Sequence, residues 1–436
     1  MWKLIINNLW SRRKRNGWIM SELVLVTIIL FHLADKVTVS LYDSSLPLGY
    51  DYDRLCIVSL KTYTADSRKY DIQRDNEEAK MEDVLAVLRK IKSLPEVENA
   101  TPTLWHYMNS TGGQSKSFCS GNKEKDSLNI PQCITFDFFS GYNYFETYGI
   151  KTMEGSPTAE ELSKMSFSPN DIVVTRTYAN LFYPNENIIG KNVFYKSPNN
   201  LNDSYRVVGI VDAVRFQSYE RTDCAVFMPK KGGYLAYSKN IIIRLKEGID
   251  VEKFVLSIQN TIGKDLRSGN IFVKNIISYK SAINSNEQEE GILSQRHLQL
   301  SLMIFFLINL CLGVIGTFWL QTRDRTEEVG VLRSFGAKRL DILSMLLGES
   351  VVIATISVAV GCFIYLQIAL KMGLYEGYTS FFILNIMDTW ITHFWAHFMI
   401  ISMLSYSIIT ITVLIGTYLP ARILSNINPI DALRDE

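Results

Sequence analysis

Residues 323 to 340, RDRTEEVGVLRSFGAKRL, concentrate charge between two long apolar runs. Arg325, Glu327, Glu328, Arg333, Lys338 and Arg339 surround the apolar Val329, Leu332 and Leu340. A short helix with an apolar stripe and a charged rim can seat in a groove on a soluble partner. The plainer alternative is a solvated connector whose long side chains snorkel. Gly336 reads as the left-handed stop of that helix, with Lys338 starting the next. Glu349 lies several residues inside the following apolar run, where a lone carboxylate is costly and often functional. It reads as a group at the inner membrane interface, within reach of an Arg or Lys of the charged stretch.

Other candidate chemistry is thinner. HFWAH spaces His393 and His397 one helical turn apart, a metal-ligand spacing. No third ligand stands nearby, and Trp390, Phe394, Trp395 and Phe398 mark an interfacial aromatic belt instead, so no metal is expected. Cys119 and Cys133 bracket a Gly-, Ser- and Lys-rich turn, and a disulfide between them would close a loop of about 15 residues worth about 3 kcal/mol. Two thiols are the alternative. The sequence has no G-x-S-x-G elbow, no H-E-x-x-H helix and no GxxxxGK[ST] phosphate cradle, which leaves an enzyme as the weakest class.

The elements that must position these residues are membrane helices. Apolar residues clump into Trp18 to Ala34, Leu298 to Leu320, Ile342 to Leu370 and Phe394 to Leu419. Each run is near or above the roughly 17 to 25 residues that cross about 30 Å of hydrocarbon as a helix. The first run is longer than a signal-peptide core and lacks a small-x-small site after it, so it reads as an anchor. Lys3, Arg12, Arg13, Lys14 and Arg15 precede it without an acid, and Arg323, Arg325, Arg333, Lys338 and Arg339 lie between spans two and three. The positive-inside rule then puts both termini and 322–341 in the cytoplasm, with 36–296 outside. A net charge of +1 and the lack of a basic, aromatic-laced stripe outside exclude a nucleic-acid partner. Cys56, Cys119, Cys133 and Cys224 fall in the outer segment, where an oxidising compartment permits disulfides, whereas Cys311 and Cys362 read as buried apolar residues inside spans.

The outer segment is long enough to bury its own core. RLCIVSLK (54–61), a helical pattern over 81–94 and an extended 97–107 form one β-α-β unit. NIIIRLKEG (240–248), a helix over 250–262 and NIFVKNI (270–276) form another. Between them lie short strands bounded by Gly, Pro and Asn. The expected fold is an α+β membrane protein: four transmembrane helices with a large extracytoplasmic α/β plus β-rich domain between the first and second. In detail, 1–17 is a cytoplasmic amphipathic helix, 18–35, 297–321, 342–370 and 394–419 are the spans, and 36–296 is the outer domain. That domain divides into a split α/β part, about 50–107 and 240–280, and an inserted β-rich part, about 108–239. Residues 322–341 form a cytoplasmic segment between spans two and three, 371–393 an outer loop, and 420–436 a cytoplasmic tail.

Five stretches in order resemble the MacB-type, or type VII, ABC transporter permeases, which include FtsX-like and lipoprotein-releasing members: FDFFSGYNYFETYGIKTMEGSPTAEE (136–161), DIVVTRTYANLFYPNENIIGKNVFY (171–195), YRVVGIVDAVRF (205–216), RTEEVGVLRSFGAKRLDILSMLLGES (325–350) and YLPARILSNINPIDALRDE (418–436). The resemblance implies a MacB-like periplasmic core domain outside and an ATPase-coupling segment inside, carried by Arg325, Glu328, Val329, Gly330, Leu332, Arg333, Gly336 and Lys338. It implies an inner-membrane permease that transmits the motion of a separate ABC ATPase to the outer domain, exporting an antibiotic, peptide or lipoprotein-like substrate. ATP and magnesium would sit in that ATPase, and no cofactor in this chain. Further implied partners are a second permease copy or sister permease, a periplasmic adaptor and the lipid membrane. Two alternatives stand beside it: an FtsX-like regulator that activates a cell-wall hydrolase, and a membrane-anchored sensor with no ATPase.

Overall fold

The computed structural model describes residues 13–110, 112–119, 132–184, 186–195, 203–221, 224–378 and 387–427. Of the separate amphipathic helix expected over 1–17, residues 1–12 lie outside them, as does the terminal NPIDALRDE, and 13–17 instead begin a helix that runs on without a break through Ser45. Helices are α1 (Arg13–Ser45), α2 (Glu77–Lys92), α3 (Val251–Asp265), α4 (Tyr279–Glu289), α5 (Ile292–Asp324), α6 (Thr326–Ser334), α7 (Arg339–Met372) and α8 (Phe394–Ser425), with shorter ones at Tyr144–Tyr148, Ala159–Lys164 and Arg176–Phe182. Strands are β1 (Leu55–Thr62), β2 (Val97–Thr103), β3 (Gln114–Cys119), β4 (Gln132–Phe139), β5 (Asp171–Thr175), β6 (Asn192–Tyr195), β7 (Ser204–Val211), β8 (Ala225–Lys230), β9 (Asn240–Leu245), β10 (Arg267–Ser268) and β11 (Ile271–Ser278). Two compact units result: an outer one over Asp43–Ile292 and Gly377–Met387, and a membrane one from the rest.

In the membrane unit, four helices are long and apolar enough to cross a bilayer: Gly17–Ser45, Ile292–Leu320, Arg339–Met372 and Phe394–Ser425. At 1.5 Å per residue each exceeds the ~30 Å hydrocarbon thickness. Helix α1 therefore runs about ten residues past the expected end at 35, through a β-branched stretch (Val37, Thr38, Val39) whose strand preference the continuing helix overrides. Helix α8 likewise passes through Pro420, which is buried inside it. Proline is tolerated in membrane helices because neighbouring helices and local adjustments satisfy the freed carbonyl. Leu23, Leu30, Leu310, Val314, Ile353, Ala354, Ile409 and Val413 form the bundle core. Gly361 lets α7 and α1 approach closely: a Cβ there would stand 2.7 Å from Thr27 Cβ and 3.2 Å from Val24 O. Small residues do this job between membrane helices, where lipid tails remove the hydrophobic drive for association.

The outer unit holds a five-stranded sheet, order β10-β11-β1-β9-β2, and a closed barrel, β3-β4-β8-β5-β7-β6. In the sheet β1 lies antiparallel between β9 and β11, and β9 antiparallel between β1 and β2. Each β-α-β unit is thus split by a strand of the other, which interlocks chain segments far apart in sequence. Period-2 alternation sorts the side chains between two cores. Cys56, Val58 and Leu60 pack with Ile241, Ile243, Val84, Val87, Ile91, Phe254 and Ile258 under α2 and α3. Leu55, Ile57 and Ile242 point the other way, into an aromatic cluster with Tyr50, Tyr144, Tyr148, Tyr279, Phe136, Phe138 and Phe227. The barrel interior is filled by Phe118, Cys133, Ile172, Val174, Tyr178, Val193, Val207, Cys224, Val226 and Met228.

The link expected between Cys119 and Cys133 is not made in this structure. The reason is register. In the β3–β4 hairpin Lys116 stands opposite Cys133, while Cys119 has passed on to pair with Phe194 of β6.

Candidate functional site

The charged stretch 325–340 is anchored on one side and open on the other. Residues Thr326–Ser334 form α6, with Glu327 and Glu328 in its first turn and Arg333 in its last, charges placed to favour the helix dipole. Gly336 N–H donates to Arg333 O (3.0 Å) and Ala337 N–H to Leu332 O (3.1 Å). Gly336 itself has φ +95°. This is a Schellman stop, in which a left-handed residue satisfies the last carbonyls of the helix. The carboxylate of Asp341 then accepts from Lys338 N–H at 3.0 Å and starts α7.

Three contacts fasten α6 to the membrane helices. Arg325 Nη1 lies 2.6 Å from Glu349 Oε2 on α7, both side chains nearly inaccessible. Arg333 Nη1 donates to Ser425 O (3.2 Å) and Ile427 O (2.9 Å) at the end of α8. Val329 packs with Ile342, Leu346, Ala421 and Leu424. The apolar stripe read from the sequence therefore needs correction. Val329 is 1% exposed and turned inward, whereas Val331 (44%), Phe335 (87%) and Leu340 (75%) present the open apolar face. Gly330 is buried and Leu332 half-buried, while Lys338 and Glu327 are exposed. A 100° step per residue explains the exchange: once Arg325, Val329 and Arg333 take the inner face at i, i+4 and i+8, Val331 and Phe335 must face away.

His393 and His397 do not share a site. Exposed His393 lies 3.0 Å from Asp388. Buried His397 has Nε2 2.7 Å from Asp35 Oδ1 on α1, and the other oxygen of Asp35 accepts from Tyr375 N–H at 3.0 Å. Among the described residues no group of three or more His, Cys, Asp or Glu could hold a metal. Reading the sequence missed this pair because 362 positions separate its members.

In the outer unit, the loop 215–221 (RFQSYER) turns its polar groups inward. Arg215 is fully buried and donates to the carbonyls of Leu46 (2.8 Å), Asp43 (2.8 Å), Glu220 (2.8 Å) and Ser218 (2.9 Å). The first two belong to the last turn of α1 and the residue after it, where carbonyls lack helical partners. Arg221 Nε lies 3.2 Å from Asp43 Oδ1. The same loop grips α4: Ser218 Oγ donates to Glu287 Oε1 (2.7 Å) and Asn286 Nδ2 to Gln217 Oε1 (2.6 Å). Asn109, held at φ +61°, accepts from Ser218 N–H at 2.8 Å. Burial pushes the Glu220 carboxyl up to about 7, with Glu290 adding and Arg215 opposing. One loop thus ties the residues ending α1 to the helix that precedes α5. Nothing in the sequence signals this, since a polar, aromatic heptapeptide between strands looks like an ordinary surface loop.

The MacB-like periplasmic core domain profile matches residues 25–261, and the FtsX-like permease C-terminal profile matches 300–429. The macrolide export ATP-binding/permease protein MacB of Escherichia coli (strain K12) is 22% identical over 366 residues, which cover 82% of this chain and 49% of that protein. The protein of the same name from Bdellovibrio bacteriovorus is 27% identical over 244 residues, covering 53% and 34%. The chain spans about half the length, or less, of these curated relatives. Among solved structures, the periplasmic region of MacB from Actinobacillus actinomycetemcomitans aligns with 55% of this chain and 94% of its own, at 14% identity and a TM-score of 0.30.

Proposed function

Because the chain belongs to the MacB- and FtsX-type family of ABC transporter permeases, we propose that it receives the motion of a separate ABC ATPase at residues 323–340 and transmits that motion to its extracytoplasmic domain. The family is a permease-type transporter component, not itself catalytic, and this chain is a multi-pass membrane protein with its large domain outside the cytoplasm. ATP and magnesium sit in the ATPase in this reading. A second permease, identical or sister, completes the complex, and a periplasmic adaptor can extend it. The substrate, of the antibiotic, peptide or lipoprotein-like kind, is handled outside the membrane.

The observation that supports this most is the two-sidedness of α6 and the turn after it. Its inner face is fixed to α7 through Glu349 and to α8 through the carbonyls of Ser425 and Ile427. Its outer face leaves Phe335 and Leu340 exposed. A solvated connector has no use for such a face, and helix-in-groove docking needs one. A push on α6 would be handed to α7 and α8 through a buried ion pair and charge-assisted hydrogen bonds, which are short and directional.

The test replaces Phe335 and Leu340 by Asp, because a charge driven into an apolar groove loses hydration without gaining a partner. Both side chains are exposed, so the melting temperature of the permease should stay unchanged while the ATPase is lost from mild-detergent purification. Full retention of the ATPase and of permease-stimulated ATP hydrolysis would reduce 323–340 to a connector and favour a sensor without an ATPase.

A further inference from the structure

Three cysteines approach one tyrosine inside the barrel. Burial pushes the Tyr178 hydroxyl up, and negative charge on Cys133, Cys224 or Cys119 would push it further. Two of these thiols stand in a particular relation. Strands β4 and β8 are parallel neighbours whose register begins with Ile134 opposite Ala225, and Ile134 N–H donates to Cys224 O at 3.1 Å. One residue earlier, the same register puts Cys133 beside Cys224, and their sulfurs are 2.9 Å apart. Both belong to the same apolar cluster, so their side chains leave the sheet on the same face. Strands about 4.8 Å apart bring Cα atoms within the span that a disulfide bridges without backbone movement.

We propose that Cys133 and Cys224 are joined by a disulfide in the mature protein, made as the outer domain folds outside the cytoplasm. The two thiols give up two protons and two electrons to the disulfide of an extracytoplasmic thiol oxidoreductase. That oxidant leaves as two thiols, and one S–S bond joins the strands. Such bonds persist in oxidising compartments. The two cysteines are 91 residues apart, and the link would enclose most of β4 and all of β5, β6 and β7. Because both sulfurs are buried, the bond must form before the barrel closes, and afterwards a reductant can reach it only through unfolding. Cys119 is excluded by its place: it lies at the end of β3 with Sγ 3.4 Å from Phe194 O. Cys56 is excluded too, packed in the core of the other sheet.

The experiment uses the full chain, exported and purified in mild detergent without reductant, then denatured in N-ethylmaleimide, digested and analysed by mass spectrometry. The expected result is a linked pair of peptides containing Cys133 and Cys224, two hydrogens lighter than their sum, with Cys119 alkylated. Native protein held in dithiothreitol should keep the link, and only denatured protein should lose it. Reducing the chain in denaturant and refolding it in dithiothreitol should lower the melting temperature of the outer unit by about 10 °C, the scale for a loop of roughly 100 residues. A Cys133→Ala/Cys224→Ala variant should show no response to the same treatment. Alkylation of both Cys133 and Cys224 in the purified protein, or a link from Cys119 to either, overturns the proposal.

Discussion

Replacing Glu349 by Leu tests whether α6 is held by a buried ion pair. Arg325 Nη1 lies 2.6 Å from Glu349 Oε2, with side-chain exposures of 5% and 2%. Arg325 Nε has no hydrogen-bond partner among the described residues, so the guanidinium depends heavily on that carboxylate for its loss of hydration. Removing one partner of a buried pair costs about 3–5 kcal/mol, because the remaining charge stays buried without compensation. At about 2–4 °C per kcal/mol for a unit of this size, the melting temperature should fall by about 10 °C. Removing both charges with residues of similar volume, Arg325→Met with Glu349→Leu, eliminates the orphan, so most of the loss should be recovered. The assay is intrinsic tryptophan fluorescence of the detergent-purified permease during heating. A Glu349→Leu variant that melts with the wild type, or a double variant no more stable than the single one, would show that the pair is not buried as described.

Two further outcomes are expected. The Glu220 carboxyl titrates at about 7 in the folded outer unit and near 4.3 unfolded, so the folded state binds its proton more tightly. That contribution is complete below the unfolded value and is lost as pH rises through 7, at a slope of at most about 1.4 kcal/mol per pH unit; Glu220→Gln should flatten the fall in melting temperature over that window. At Gly336, φ is +95° with no atom within 4 Å of an added Cβ, so Gly336→Val is penalised by backbone strain rather than by collision. ATPase binding should be retained in that variant while permease-stimulated ATP hydrolysis drops, since the segment is gripped but its tilt relative to α7 is altered.

Local periodicity revealed the architecture wherever one face was buried. RLCIVSLK and NIIIRL read as largely apolar runs because successive β1 and β9 side chains enter two different cores, the helix-covered one and the aromatic one, and the four spans are visible as apolar length alone. What the sequence left hidden depends on distant contacts. The inward turn of Val329 is decided by Leu346 and Leu424, on other helices. The Asp35–His397 pair and the grip of Arg215 on Asp43 and Leu46 join positions more than 160 residues apart, with no local pattern to mark either end. The expected Cys119–Cys133 link failed for a related reason: spacing in sequence suggested proximity, whereas hairpin register carried Cys119 past its supposed partner. Closure of the barrel depends on β3–β6 pairing, which no strand announces by itself.

The most direct measurement is hydrogen–deuterium exchange on the permease bound to its ATPase, first nucleotide-free and then trapped with ATP by a hydrolysis-deficient ATPase variant. Transmission from α6 to the outside predicts that ATP trapping changes the exchange of the backbone amides in the 215–221 loop and in α4, far from the nucleotide. The Gly336→Val permease should bind the same ATPase yet lose most of that change. Exchange in those outer segments that is identical with and without trapped ATP, while the cytoplasmic segment responds, would contradict the account.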